Sequence, residues 1–249
     1  MVGERSVGLR RCGVNHAGGI GSANADMSSD KGSERLPRRK PKVSCSTFIG
    51  AGVVDKERMR LWNEYVERYH VLGYKRPFGA HQRYFIQERR GRLVGCLLFA
   101  SSAWALSVRD EWIGWTGQDR AQRLNWVVAN TRFLIFPWVR IRNLASKSLS
   151  LVAGRVRQDW QRRYGYGPVL LETFVDAERY RGTCYQAANW IHLGTTAGRG
   201  RMDRFMRYLS TPKMIYVYPL VPDFRCCLRG NNAEDPRWAK RADVCDEGS

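Results

Sequence analysis

The chain has 249 residues, 43% of them apolar, with nine Trp, eleven Tyr and nine Phe, enough for one domain with a substantial core plus a tail. Its 42 Lys and Arg against 23 Asp and Glu leave a net charge of +19, far from the near-neutral balance of a typical metabolic enzyme, so nucleic acid is the natural partner. The uncharged apolar stretch Leu93–Leu106 falls short of the ~20 apolar residues of a spanning helix, and seven scattered cysteines without CxxC spacing argue against a disulfide framework and a zinc ribbon.

With no apolar signal core at the start, the expectation is a reduced, cytoplasmic protein with no membrane partner and no metal. Residues 1–52 are rich in Gly, Ser and charge, include the basic run Arg38–Lys42, and read as a disordered basic tail. Order is expected from Asp55, a candidate N-cap, followed by Met59, Trp62, Val66 and Tyr69 at helical spacing, with His70 at the helix end before Gly73. RYFIQ from Arg83, a charged turn at Glu88–Gly91 and RLVGCLLFA predict an antiparallel hairpin whose second arm is central.

Thr116 is a candidate cap for a helix carrying Leu124 and Val127, and Arg132–Ile141 reads as a buried strand broken or bulged at Pro137. It runs into Arg142–Ser146 and then a helix marked by Ala145, Leu149, Val152, Val156 and Trp160, ending near Gly165. Val169–Val175 is the next strand, RGTCYQAANWIHLGTTAGRGR suggests a short helix feeding a strand, and Met214–Leu220 is the last strand before a polar tail, 225–249. The domain, 53–224, is therefore an α/β (α+β) mixed sheet with crossover helices.

Chemistry-bearing candidates follow from this layout. A strand running directly into a helix through Arg142, Asn143, Leu144, Ala145 and Ser146 presents unpaired N–H groups to a phosphate, or is an ordinary turn. Glu172 and Asp176 share one side of a regular strand, and Glu172 is either a general base or a buried carboxylate paired with an arginine, while Asp176 equally suits a turn. Tyr185, at a helix start, could protonate a leaving thiolate. Cys184 with His192 is a weaker nucleophile pair, and His70, His81 and His192 are too dispersed for a metal site.

The runs RYHVLGYKRPFGAHQRYFI, NTRFLIFPWVRIRNLAS, YGYGPVLLETFVD and RYRGTCYQAANWIHLGTTAGRGR, in that order, closely resemble the Druantia anti-phage defence protein DruA family over roughly residues 57–224. Relatives of that family also occur beside transposase genes. The order strand, NxxS, helix, strand, acid, GTxYQAxNW is similar, over about the second half of the domain, to phage Mom DNA-modification proteins of the GNAT N-acyltransferase superfamily.

These resemblances imply a GNAT-like mixed central sheet with flanking helices. They imply that Arg142–Ser146 match the loop after the fourth strand that binds the pyrophosphate of acyl-CoA, with Asn143, Leu144 and Ala145 where glycines are usual. Tyr185 matches the tyrosine that protonates the CoA thiolate, Asp176 the acid ahead of the GTxYQ helix, and His70 the histidine of a His-Tyr pair, with Val71 in place of the tyrosine. The implied function is action on nucleic acid, DNA favoured, in phage defence or on a mobile element, by acyl transfer to a base or amine. Arg181, Arg199, Arg201 and Lys147 would contact phosphates, and defence-system or transposition proteins would be further partners. The competing reading is a non-catalytic nucleic-acid-binding accessory protein on the same fold.

Overall fold

The computed structural model describes residues 47–49, 52–196 and 211–230. Within them one seven-stranded sheet is formed by β1 (Thr47–Ile49), β2 (His81–Glu88), β3 (Leu93–Ser101), β4 (Val127–Ile135), β5 (Leu170–Asp176), β6 (Ile191–Thr195) and β7 (Lys213–Pro219). The strands lie in the order β1-β2-β3-β4-β5-β7-β6, and every neighbouring pair is antiparallel except β4 with β5. A parallel pair needs a long crossover, and here α4 (Leu144–Tyr164) supplies it.

The remaining helices are α1 (Lys56–Tyr69), α2 (Ser107–Ile113), α3 (Gly117–Arg123), α5 (Thr183–Gln186) and α6 (Phe224–Leu228). Side-chain alternation along the strands assigns them to layers. Tyr84 lies under the Arg155 guanidinium of α4, whereas its neighbour Phe85 meets Tyr65 of α1 edge-on. Likewise Thr173 faces Tyr185 of α5 and Glu172 faces Arg109 of α2. So α4 and α5 cover one face, and α1 and α2 the other.

The expected mixed sheet with flanking helices is what forms, and its local signals behave as read. Asp55 caps α1 by accepting from Arg58 N at 2.8 Å, and the stripe buries Trp62 and Val66, with the Trp62 indole N–H donating to Tyr84 O at 3.0 Å. In α4, Leu149, Val152, Val156 and Trp160 are buried, and Gly165 ends the helix at φ +78°. Val94–Ala100 of β3 is buried on both faces, as expected where helices cover both sides of a sheet.

Four boundaries differ. Thr116 does cap α3, but the helix stops at Arg123: Leu124 sits in a short 3-10 turn and Val127 opens β4. The β-branched run Val127-Val128 fits the crowded centre of a sheet better than a helix end. Correspondingly β4 ends at Ile135 and Pro137 lies in the following loop, since proline cannot donate to a ladder. β1 lies inside the stretch 1–52 read as tail, and α6 reaches into 225–249 with Phe224, Cys227 and Leu228 buried. A short strand needs no core of its own when it satisfies its backbone on the open edge of β2. Among the described residues no helix is long and apolar enough to cross a membrane.

Candidate functional site

The parallel pair is short. β4 and β5 pair only from Val127 with Leu170 to Asn130 with Thr173, although β4 continues to Ile135 and β5 to Asp176. Beyond Asn130 and Thr173 the two strands part, and the fork opens toward their C-terminal ends. In an α/β sheet that is where ligands are received.

A bulge on the other edge of β4 accompanies the parting. Leu98 pairs with Arg132 but Phe99 pairs with Asn130, so Thr131 is the extra residue. The Asn130 amide bridges the bulge by donating to Leu98 O and to Arg132 O, both at 3.1 Å. Thr131 keeps a buried hydroxyl oxygen with no hydrogen-bond partner among the described residues.

Tyr185 reaches the apex of this fork. Its hydroxyl donates to Asn130 Oδ1 at 2.9 Å and lies 3.4 Å from Thr173 Oγ1, which itself bonds Asn130 O at 3.0 Å. The GTCYQAANW motif folds to place it there. Gly182 starts α5 in the left-handed region at φ +68°, where a Cβ would meet the Tyr216 hydroxyl at 2.4 Å. Asn189 turns the chain at φ +60°, and Trp190 N returns to Tyr185 O at 3.0 Å. Tyr216 stacks on the phenol at 5.7 Å and Trp190 closes its edge at 5.2 Å. Burial pushes the Tyr185 hydroxyl well above the ordinary phenol pKa, so it holds its proton.

The loop Phe136–Asn143 leaves the open end of the fork and enters α4. Asn143 is the N-cap at φ +58° and its side chain makes no capping bond. Left-handed backbone is the conformation for which phosphate loops use glycine, and asparagine is the residue that tolerates it next best. The absent glycine is thus replaced in kind. Lys147 N and the Ser146 hydroxyl both donate to Asn143 O, Leu144 is buried in the core, Arg142 is exposed, and the first turn of the 21-residue helix contains no acid. Asn143→Gly should be close to neutral in stability, whereas Asn143→Ala should cost about 1 kcal/mol, measured as a shift in the urea midpoint.

The carboxylates do not join this site. Glu172 is fully buried on the α2 face, its Oε2 2.9 Å from Arg109 Nη1 and its Oε1 accepting from Ala103 N at 3.1 Å. Of the two readings of this acid, the ion pair is what the structure holds, and Tyr185 lies across the sheet from it. Asp176 stands at the mouth of the fork but turns the chain: Oδ1 accepts from Glu178 N, its carbonyl accepts from Tyr180 N, and Arg179 is 3.6 Å away.

His70 caps α1 and accepts from Leu72 N at 3.1 Å through Nδ1. Burial and the charge of Arg132 lower its pKa to about 4, leaving it neutral at pH 7 with its lone pair engaged. The Cys184 thiol is pushed up by burial, away from thiolate chemistry, while His192 is exposed and lies against Tyr216 at 4.9 Å. Arg181 and Lys147 are exposed; Arg199 and Arg201 lie outside the described residues.

Sequence reasoning passed over Asn130, Thr173 and Arg109. A visible signal existed for the first two, an amide and a hydroxyl within apolar strands, whereas Arg109 is one basic residue among 42 and its full burial shows only in the structure. What was invisible was that residues 55 apart, Asn130 and Tyr185, meet.

Comparison with known proteins agrees with the order of motifs. A family model described as Druantia protein DruA matches residues 47–212. Among solved structures, spermidine N-acetyltransferase from Vibrio cholerae in complex with CoA and spermine is similar at 8% identity and a TM-score of 0.43, covering 70% of this chain and 95% of that one. FeeM, an N-acyl amino acid synthase from uncultured soil microbes, is similar at 11% identity and a TM-score of 0.42, covering 72% and 93%. No curated protein matches the chain.

Proposed function

Because the chain belongs to the Druantia DruA family, we propose that it acts on nucleic acid, in phage defence or on a mobile element, by transferring an acyl group to a base or amine. The observation that carries this reading is the fork itself: two parallel strands that part at Asn130 and Thr173 with the protonated Tyr185 hydroxyl at their apex.

The residues present suit an acyl-CoA. Left-handed Asn143, the uncapped start of α4 and exposed Arg142 would hold its phosphates, and the unpartnered Thr131 hydroxyl lies in the bulge of β4 at the level where the strands part. Bound there, the cofactor would supply the acyl group as a thioester, activated for attack by an amine. Tyr185 Oη holds the proton that a departing sulfur requires; it is donated to Asn130 Oδ1 here and would turn from Asn130 to the sulfur as the thioester breaks. The acceptor enters as a neutral amine and loses its proton to solvent, since Glu172 and His70 are engaged, and solvent returns a proton to Tyr185. That engagement is also what favours a second reading, a nucleic-acid-binding protein without transfer chemistry.

Isothermal titration with acetyl-CoA and CoA separates the two. Micromolar binding is expected, and Asn143→Asp, which tolerates the same backbone, should weaken it. Like charges about 4 Å apart cost about 1 kcal/mol in water and about 4 kcal/mol at an effective dielectric constant of about 20, about five-fold to several hundred-fold in affinity. Failure of the unmodified protein to bind either compound leaves the non-catalytic reading.

A further inference from the structure

We propose that Trp138, with Tyr69 beside it, is a stacking platform for the unpaired bases of a single nucleic-acid strand at the open end of the β4–β5 fork. The proposal rests on the nucleic-acid reading above and deepens it by naming the form of the substrate.

Trp138 lies in the loop between β4 and α4, between the buried Phe136 and Val139, yet is 53% exposed. Its ring is nevertheless held. Phe136 packs against it at 5.0 Å and 31°, and Tyr69, itself 40% exposed, meets it at 5.1 Å and 83°. An indole anchored from below and open to solvent loses little freedom when a flat ring settles on it. Val71 and Leu72, both exposed, extend the apolar surface from the end of α1.

Charge selects the partner. Residues 136–147 contain Arg140, Arg142 and Lys147 and no Asp or Glu, and both arginines are exposed. The acids of the adjoining part of α1 are occupied: Glu64 pairs with Arg68 at 2.8 Å and Glu67 accepts from Tyr74 N at 2.7 Å. A basic rim around aromatic faces fits a polyanion whose units have π faces of their own, which is a nucleic-acid strand. In a duplex those faces are stacked away, so the platform favours unpaired bases.

The test is fluorescence anisotropy with a labelled single-stranded oligonucleotide and a blunt duplex of equal length at fixed low salt, on the full chain and on Trp138→Leu and Tyr69→Leu. Leucine keeps an apolar cover over Phe136 and removes the π face. Trp138→Leu should weaken single-strand binding about ten-fold and leave duplex binding within about two-fold, with Tyr69→Leu showing the same preference more weakly. If either variant melts early, the other carries the measurement. Unchanged single-strand affinity in both variants overturns the platform and leaves the nucleic-acid reading standing. Absence of binding to either nucleic acid by the unmodified chain overturns both. A dimer in light scattering that Trp138→Leu dissolves overturns the platform by assigning the surface to a second copy.

Discussion

Arg109→Ala is expected to destabilise the fold by about 3 to 5 kcal/mol, because it strands a buried carboxylate. Arg109 and Glu172 are both fully buried and 2.9 Å apart, and with the guanidinium gone Glu172 keeps, among the described residues, only the Ala103 N–H. Arg109 also donates to Ala103 O and Asp110, so the loss reaches the start of α2. Denaturant unfolding gives the number. The informative control is the double replacement Arg109→Met with Glu172→Met. Two apolar side chains of similar volume avoid the desolvation of both charges, and the double variant should recover most of the lost stability. A double variant that is stable and keeps transfer activity would establish Glu172 as a structural partner. An Arg109→Ala protein as stable as the unmodified chain would remove the pair from the account of the core.

If the chain transfers acyl groups as proposed above, Tyr185→Phe is expected to carry the largest functional effect. Loss of a positioned general acid costs typically about 10²- to 10⁴-fold in rate, and the fall should appear in kcat with little change in KM for the acyl donor, since the hydroxyl sits at the apex of the fork and not at the phosphate loop. The substitution also leaves Asn130 Oδ1 without its donor, at about 1 to 3 kcal/mol for a buried group. Asn130→Ala serves as comparison: it removes the same hydrogen bond and the two that bridge the bulge but spares the hydroxyl, so it should lose at least as much stability and keep more of the rate. Full transfer activity in Tyr185→Phe would remove the acid role outright. In a protein that only binds nucleic acid, the variant would lose stability and keep its affinity.

Much of the architecture was legible because it is written in local periods. The stripe through Leu149, Val152, Val156 and Trp160, the caps at Asp55 and Thr116, and the wholly apolar β3 each announce one element through residues within a few positions of one another. The GTCYQAANW helix was legible for the same reason, and Tyr185 could be singled out as a candidate acid before its surroundings were known. Boundaries failed where two periods overlap: Leu124 and Val127 continue a helical spacing while β-branched Val127 and Val128 already belong to a strand.

By itself, then, the sequence determined the principal strands and helices, though not β1, α2 or α6, the basic balance that points to a polyanion, and the family, because composition, periodicity and ordered motifs are properties of the chain alone. Tertiary structure alone decided that β7 inserts between β5 and β6, that β4 and β5 run parallel and part after Asn130 and Thr173, and which groups then meet. Glu172 finds Arg109, 63 residues away, on one face, while Tyr185 finds Asn130, 55 residues away, on the other. The physical reason lies in β-pairing: adjacent residues of a strand point to opposite faces, so neighbours as close as Glu172 and Thr173 enter different environments, and which environment each enters depends on strands and helices far along the chain.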